Sequence, residues 1–368
     1  MEEAFSYQFF GTTKDALEAE YQAILSAKES IYFEVYIFLD DQVGQRFVDA
    51  LCDKAQEGLD VKLILDGLGS FMISAAALNR LKRSGVEVVW YNKITPEWRL
   101  PKWFDRLIHR NHRKVLIVDR ETAFLGGVNV QAASYDWNDV FVRLTGRMVR
   151  PLLRSFAKSY IECGGDREKI KHLLHPKIME GWREWKDKFN FVMHSPFYRR
   201  YNAWKRSYMR GLLLAEESIN LISPYYAPDF RFFKLIAKAR RRGVKVNIFL
   251  PLRPDHKFME LIARAYYRIT QLAGADIYLL KNMNHGKAMT VDNKAGYVGS
   301  SNLTRRSFHL NAESGVFFND EKMTGDLNNL FEVWKKEAEL LNRENLNIKP
   351  GKWRRFKEWL GIKAGKLV

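Results

Sequence analysis

The chain carries two copies of one chemical pattern. Asn111-His112-Arg113-Lys114 runs on to Asp119, and Asn284-His285-Gly286-Lys287 runs on to Asp292. Each copy is therefore His-x-Lys followed, past four residues, by Asp. At matched offsets downstream lie Gly126, Gly127 and Asn129 in the first copy, and Gly299, Ser300 and Asn302 in the second. Side chains two positions apart on a strand share a face, so each His projects together with its Lys. Two imidazoles and two ammonium groups gathered at one anionic atom suit transfer of a phosphodiester group. One imidazole attacks phosphorus, the other protonates the departing alkoxide, and the ammonium groups take up charge on the non-bridging oxygens. Asn129 and Asn302 add neutral donors and Ser300 a hydroxyl, while Asp119 and Asp292 complete the motifs as candidate catalytic residues. This chemistry calls for no metal and no cofactor.

A nucleophilic imidazole needs a partner on its second ring nitrogen. Asp139 follows His112, and Glu313 follows His285, at nearly equal offsets. These two carboxylates are expected to orient the rings, although either alone is as well explained as a surface or ion-paired acid. A single His would by default be a satisfied core residue; the matched pair carries the inference. Among the other histidines, His109 lies just upstream of the first motif, at a cleft mouth or in a solvated basic loop. His256, in Arg253-Pro254-Asp255-His256, is a candidate contact to a substrate head group.

The elements that must position these groups are themselves duplicated. Ser30 to Phe38 forms a β-rich run, Gly44 to Gly58 a helical one, and Val61 to Asp66 a second strand. Ser218 to Tyr226, Phe230 to Gly243 and Val244 to Leu250 repeat that order. A helix (Ser74 to Gly85; Phe258 to Gly274) and a strand (Val86 to Tyr91; Ala275 to Leu280) then precede each His-x-Lys strand. Strand–helix–strand alternation predicts an α/β fold of two pseudo-symmetric lobes. Each lobe should hold a mixed, largely parallel sheet flanked by helices, with the active site between them. The expected units are an N-terminal lobe over 1–150, a helical connector without counterpart over 151–200, a C-terminal lobe over 201–348 and a basic amphipathic tail over 349–368.

Length and composition fit this plan. A chain of 368 residues with 46% hydrophobic and 14% aromatic residues can bury two ordinary cores. The formal charge of +17 points to an anionic partner, either nucleic acid or an acidic membrane surface. Cys52 and Cys163 stand apart, with no CxxC or Cys/His cluster, so free thiols are expected rather than a disulfide framework or zinc site. The N-terminal residues lack the pattern of a signal peptide, and no stretch approaches 18 uncharged apolar residues. An intracellular protein, soluble or peripheral to a membrane, is the expectation.

Tryptophan mixed with cations marks candidate membrane contacts. In Lys352 to Lys363, Trp353, Phe356, Trp359 and Leu360 recur at helical spacing while basic residues fill the remaining face. The alternative is a terminal helix packed on the protein itself. Trp98, Trp103 and Phe104, just before the first motif, form either a lipid-dipping lip or a packed loop. Residues 181–200 are a weaker candidate.

These residues resemble the phospholipase D superfamily, whose HKD motif both copies carry. Arg110 to Lys114 with Gly126-Gly127-Val128-Asn129 is similar to the first motif of bacterial cardiolipin synthases. Gly299 to Phe308, with Asn311 and Glu313, is similar to the second. Further echoes are Tyr36-Ile37-Phe38 with Asp40-Asp41, Asp66 to Ser70, and Ser223-Pro224-Tyr225-Tyr226 with Pro228. The resemblance covers roughly residues 15–145 and 205–340. It implies a two-lobed α/β fold with one site between the lobes, and ping-pong phosphatidyl transfer with His112 as nucleophile and His285 as acid/base. The activity so implied is a cardiolipin synthase-like phosphatidyltransferase at the cytoplasmic side of an anionic phospholipid membrane. It would join two phosphatidylglycerols and release glycerol. Hydrolysis, or transfer to another alcohol, uses the same chemistry, and a nuclease is the alternative that the charge permits.

Overall fold

The computed structural model describes residues 5–93, 107–179, 185–194, 203–342 and 351–365. The first lobe runs β1 (Tyr7–Thr12), α1 (Thr13–Ser26), β2 (Ser30–Val35), α2 (Gly44–Gln56), β3 (Asp60–Asp66), α3 (Ala75–Arg83), β4 (Glu87–Tyr91), β5 (Val115–Val118), β6 (Thr122–Gly126), β7 (Asn138–Thr145) and α4 (Arg150–Glu162). All six residues of β2 are buried, as expected of a strand covered on both faces. Helix α2 turns Phe47, Val48 and Leu51 onto the sheet.

After the short α5 (Arg167–Ile170), the second lobe runs β8 (Phe189–His194), α6 (Ala203–Leu214), β9 (Ser218–Ile222), β10 (Tyr226–Ala227), α7 (Phe230–Arg241), β11 (Lys245–Pro251), α8 (Lys257–Leu272) and β12 (Asp276–Leu280). It continues through β13 (Ala288–Val291), β14 (Ala295–Gly299), β15 (Leu303–Thr304), α9 (Arg305–His309), β16 (Glu313–Phe318), α10 (Glu321–Glu337) and β17 (Ala338–Leu340), and α11 (Lys352–Gly365) follows.

The two sheets repeat strand for strand. The first has the order β1-β7-β6-β5-β2-β3-β4, and the second β17-β12-β11-β9-β13-β14-β16-β8. Read from β8, the second matches the first, with β17 added at the far edge. One apolar cluster joins Val140, Val142 and Phe156 of the first lobe to Val298, Val316 and Phe331 of the second, so the lobes share a continuous core.

Two expectations need correction. The two large sheets are mixed but not largely parallel: within them, parallel pairing among the described residues is confined to β2-β3-β4 and β9-β11-β12. The His-x-Lys strands enter antiparallel, because each closes a hairpin, β5 to β6 and β13 to β14. Nor is the segment 151–200 a helical connector without counterpart. Helix α4 follows β7 as α10 follows β16, and β8 pairs with β16 as β1 pairs with β7. The alternating run Phe189-Asn190-Phe191-Val192 is a strand signal, concealed by its brevity among basic residues.

Candidate active site

Both His-x-Lys segments lie where the lobes touch, and the backbone itself fixes them. Asn111 forms an isolated parallel bridge with Ala312, and Asn138 forms one with Asn284. The His112 N–H donates to the Ala312 carbonyl at 2.8 Å, and the His285 N–H donates to the Asn138 carbonyl at 2.7 Å. Each motif is thus held by the strand start of the opposite lobe.

The side chains cross in the same way. His112 Nδ1 lies 3.0 Å from Glu313 Oε2, and His285 Nδ1 lies 3.0 Å from Asp139 Oδ2. The sequence offsets associate Asp139 with His112 and Glu313 with His285, yet each carboxylate serves the other lobe's histidine. With Nδ1 donating to a carboxylate, Nε2 is the ring nitrogen left to meet phosphorus. Ser300 Oγ donates to the same Glu313 oxygen that takes His112. At the corresponding place beside Asp139 stands Gly127, where an added Cβ would come within 2.2 Å of Asp139 Oδ1. The shorter acid therefore demands glycine, while the longer one leaves room for a hydroxyl.

The lysines bend back on their own motifs. Lys114 Nζ donates to the His112 carbonyl at 2.8 Å, and Lys287 Nζ donates to the His285 carbonyl. Lys287 Nζ also lies 2.8 Å from His285 Nδ1, a contact that yields to Asp139 as partner once that nitrogen carries the proton. All four groups are buried and held toward their neutral forms. Burial, then the Lys114 ammonium, lowers His112 to about 4. Burial and Lys287 lower His285 in the same direction. Burial brings Lys287 down to about 8, and burial with the Lys287 charge holds Lys114 well below its ordinary range. Burial pushes the Glu313 carboxyl up, but His112, Lys114 and Ser300 together override it and keep it below the usual carboxylate value. The lysines of the two lobes act on each other, which marks a single electropositive site suited to a phosphate anion.

Asp119 and Asp292 do not belong to that site, contrary to the catalytic expectation. Both have positive φ, 50° and 52°, as do the following Arg120 and Asn293 at 60° and 52°. Positive φ at both central residues is the geometry of a type I′ hairpin turn, which Asp and Asn tolerate. The Asp119 carboxylate accepts the backbone N–H groups of Lys28, Glu29 and Ser30, and Asp292 accepts those of Glu216, Glu217 and Ser218. Each Asp pins its hairpin to the start of β2 or β9, at the end of the strand away from the histidine.

Asn129 and Asn302 are buried beside the motifs: Asn129 Oδ1 accepts the Ile37 N–H at 3.2 Å, and Asn302 Oδ1 has no partner among the described residues. His109 is anchored through Nδ1 to the Leu310 carbonyl at 2.8 Å rather than solvated. His256 stands on the second lobe's rim, its ring 5.9 Å from that of Tyr225, which lies 6.3 Å from His285. Trp98, Trp103 and Phe104 lie outside the described residues. Trp353, Phe356 and Trp359 are exposed on α11.

Several contributors have no signal in the motif spacing. Tyr36 packs edge-on to His112 at 5.0 Å, with Lys114 Nζ 5.0 Å from the Tyr36 ring centre, and Trp137 lies 5.9 Å from His285. Asp66 receives Arg110 Nε at 3.1 Å and the Asn111 N–H at 2.7 Å, while Glu34 receives the Asn111 amide at 2.8 Å. This buried network fixes the approach to His112. A charge of each sign so deep in a sheet is the clue that a search for buried pairs finds. Among the described residues, no group of three His, Cys, Asp or Glu side chains is arranged to hold a metal.

Comparison with known proteins identifies the family. The family described as cardiolipin synthase, phospholipase D-like domain, matches residues 21–160 and 208–334. Cardiolipin synthase 2 of Bacillus anthracis is 30% identical over 331 residues, which cover 87% of this chain and 62% of the relative. Minor cardiolipin synthase ClsB of Bacillus subtilis is 29% identical over 360 residues, covering 94% and 85%. The chain spans about three fifths of the length of several other curated relatives that it matches. In fold, a phosphatidylserine synthase from Haemophilus influenzae superposes with a TM-score of 0.72 at 17% identity, covering 98% of this chain and 94% of that one. A polyphosphate kinase from Porphyromonas gingivalis reaches 0.60 at 13%, covering 99% and 53%. Architecture alone therefore does not select the substrate. The sequence match and the paired motifs do establish descent: this chain belongs to the phospholipase D-like domain family of the cardiolipin synthases.

Proposed function

We propose that the protein is a phosphatidyltransferase that moves a phosphatidyl group from one phosphatidylglycerol to the hydroxyl of another. It works as a peripheral protein at the cytoplasmic face of an anionic membrane. The observation that supports this reading most is the crossed pair of carboxylate–histidine contacts, which engages Nδ1 of each ring and leaves Nε2 as the nitrogen to meet phosphorus. His112 Nε2 attacks phosphorus, the bond from phosphorus to the glycerol oxygen breaks, and His285 gives its proton to that oxygen. Binding of the phosphate anion offsets the lysine charges that otherwise disfavour a proton on His285. In the second half, the incoming hydroxyl surrenders its proton to His285 and attacks phosphorus. The P–N bond then breaks, and neutral His112 is restored. The ammonium groups of Lys114 and Lys287 swing from the backbone carbonyls to the non-bridging oxygens. His112 as nucleophile follows the family resemblance. The names of the relatives, cardiolipin synthases among them, support phosphatidylglycerol as donor and acceptor.

The test is to incubate the protein with phosphatidylglycerol vesicles and to resolve lipids and free glycerol. Diphosphatidylglycerol and glycerol in equal amounts are expected, with both lost in His112→Ala and in His285→Ala. Phosphatidic acid as the main product would establish hydrolysis instead. Cleavage of single- or double-stranded DNA without lipid turnover would establish a nuclease.

A further inference from the structure

Two helices far apart in sequence pack together, and each exposes large apolar side chains. Gly361 of α11 lies so close to α8 that an added Cβ would meet that of Ala265 at 2.5 Å, and Gly365 abuts Tyr266. The Tyr266 hydroxyl donates to the Ile362 carbonyl at 3.4 Å, and Ile362 and Ala364 join the apolar core beneath. Glycine permits this approach, so α11 is docked on the lobe rather than swinging free. The contacts advance in the same sense along both helices, which carries the first turns of α11 toward the start of α8. Trp353 (69% exposed), Phe356 (49%), Trp359 (54%) and Leu360 (54%) of α11 are exposed, as are Phe258 (57%) and Leu261 (67%) of α8. Trp353 stacks on Phe356 and Phe356 on Trp359, at 5.8 and 6.1 Å. Six large exposed apolar side chains are thus concentrated on two joined helices.

Cations accompany them. Lys257, Lys352, Lys357 and Lys363 are exposed on the same two helices, with Lys357 5.3 Å from the Trp353 ring centre and Lys363 5.7 Å from that of Trp359. This pair of helices also adjoins the cleft. Helix α8 begins directly after His256, whose ring neighbours Tyr225, and Tyr225 packs against His285.

We propose that the α8–α11 face is a docking platform for an anionic phospholipid bilayer, seating the cleft mouth against the headgroup layer. Tryptophans among lysines match that layer chemically: the rings enter the acyl boundary while the ammonium groups remain with the phosphates. The inference rests on the phosphatidyl-transfer reading only for supplying a substrate that resides in the bilayer.

The experiment is flotation with vesicles of mixed phosphatidylglycerol and phosphatidylcholine. It compares the wild type with Trp353→Ser/Trp359→Ser on α11 and Phe258→Ser/Leu261→Ser on α8, alongside turnover of a monomeric short-chain phosphatidylglycerol. Each double variant is expected to bind vesicles about tenfold more weakly or worse, and to keep wild-type turnover of the monomeric lipid. Binding should persist on phosphatidylglycerol vesicles and fade on pure phosphatidylcholine. Unchanged flotation of the α8 variant would overturn the composite platform. So would a loss of self-association, rather than of lipid binding, in either variant. Absence of turnover in every protein, wild type included, counts against the transferase reading, while the flotation result stands by itself.

Discussion

Glu313 Oε2 of the second lobe lies 3.0 Å from His112 Nδ1 of the first, and the reciprocal contact, Asp139 Oδ2 to His285 Nδ1, measures the same. Neither lobe therefore contains a complete catalytic group. The orienting acid arrives only when the halves dock, which makes the lobe interface part of the chemistry.

The crossing predicts which histidine each acid governs. Glu313→Gln should lower the already depressed His112 value further and leave His285 nearly unmoved, whereas Asp139→Asn should do the reverse. Histidine-selective NMR titration reads this directly. Both variants should lose roughly 10²–10⁴-fold in kcat, as when the orienting acid of a nucleophile–histidine system is removed. Pairing within each lobe would produce the opposite NMR pattern.

The pH profile follows from the direction of the shifts. The nucleophile must be neutral, and His112 is held to about 4, so kcat/KM should fall only as pH drops through that region. On the alkaline side two protons are lost in turn: that of His285, the acid, which burial and Lys287 hold below the ordinary 6.5, and then that of the anion-binding ammonium of Lys287 as pH rises through about 8. Lys287→Arg should move the second of these falls upward while leaving the acid limb in place. Measurement on a monomeric lipid avoids changes in vesicle charge.

Lys287 should also oppose stability. Its folded value of about 8 lies below the ordinary 10.5, so between these values the unfolded chain holds more protons. The cost is fully present below about pH 8 and is relieved as pH rises toward 10.5. Lys287→Met should thus abolish turnover and yet stabilise the fold at neutral pH by on the order of 2 kcal/mol, less above pH 10. Thermal or denaturant unfolding at pH 7 and pH 10 checks both sign and trend.

The motif aspartates should behave in the contrary manner. Asp119→Ala leaves three backbone donors at the start of β2 without their acceptor and should destabilise the chain by about 1–3 kcal/mol. Its folded fraction should keep kcat within about threefold of wild type, because no reacting atom is touched. A loss comparable to that of His112→Ala, in a protein still folded by circular dichroism, would return Asp119 to the catalytic set.

Local pattern disclosed most of this arrangement. The two β-rich runs, the helices after them and the His-x-Lys strands follow from period and turn residues, and so does the duplication. Partner choice was not legible. Nearly equal offsets mark Asp139 and Glu313, but only the docked lobes decide which ring each meets. An acid at fixed spacing from a histidine suggests chemistry, whereas the Asp119 backbone lies in a left-handed turn conformation that spacing alone does not disclose. The parallel character was overestimated because strand–helix–strand order describes β2 to β4 but not the hairpins beyond. Strand β8 carries little signal of its own, being six residues paired to a strand distant in sequence.

The central claim is that His112 becomes covalently bound to phosphorus while His285 serves the oxygen. A phosphatidyl p-nitrophenyl ester needs no proton on its leaving group, so rapid mixing of this ester with His285→Ala isolates the first step. One equivalent of p-nitrophenol should be released in a burst, with the phosphatidyl mass on the peptide bearing His112, and His112→Ala should give neither. A full burst from His112→Ala, or an adduct on any other residue, would contradict the account.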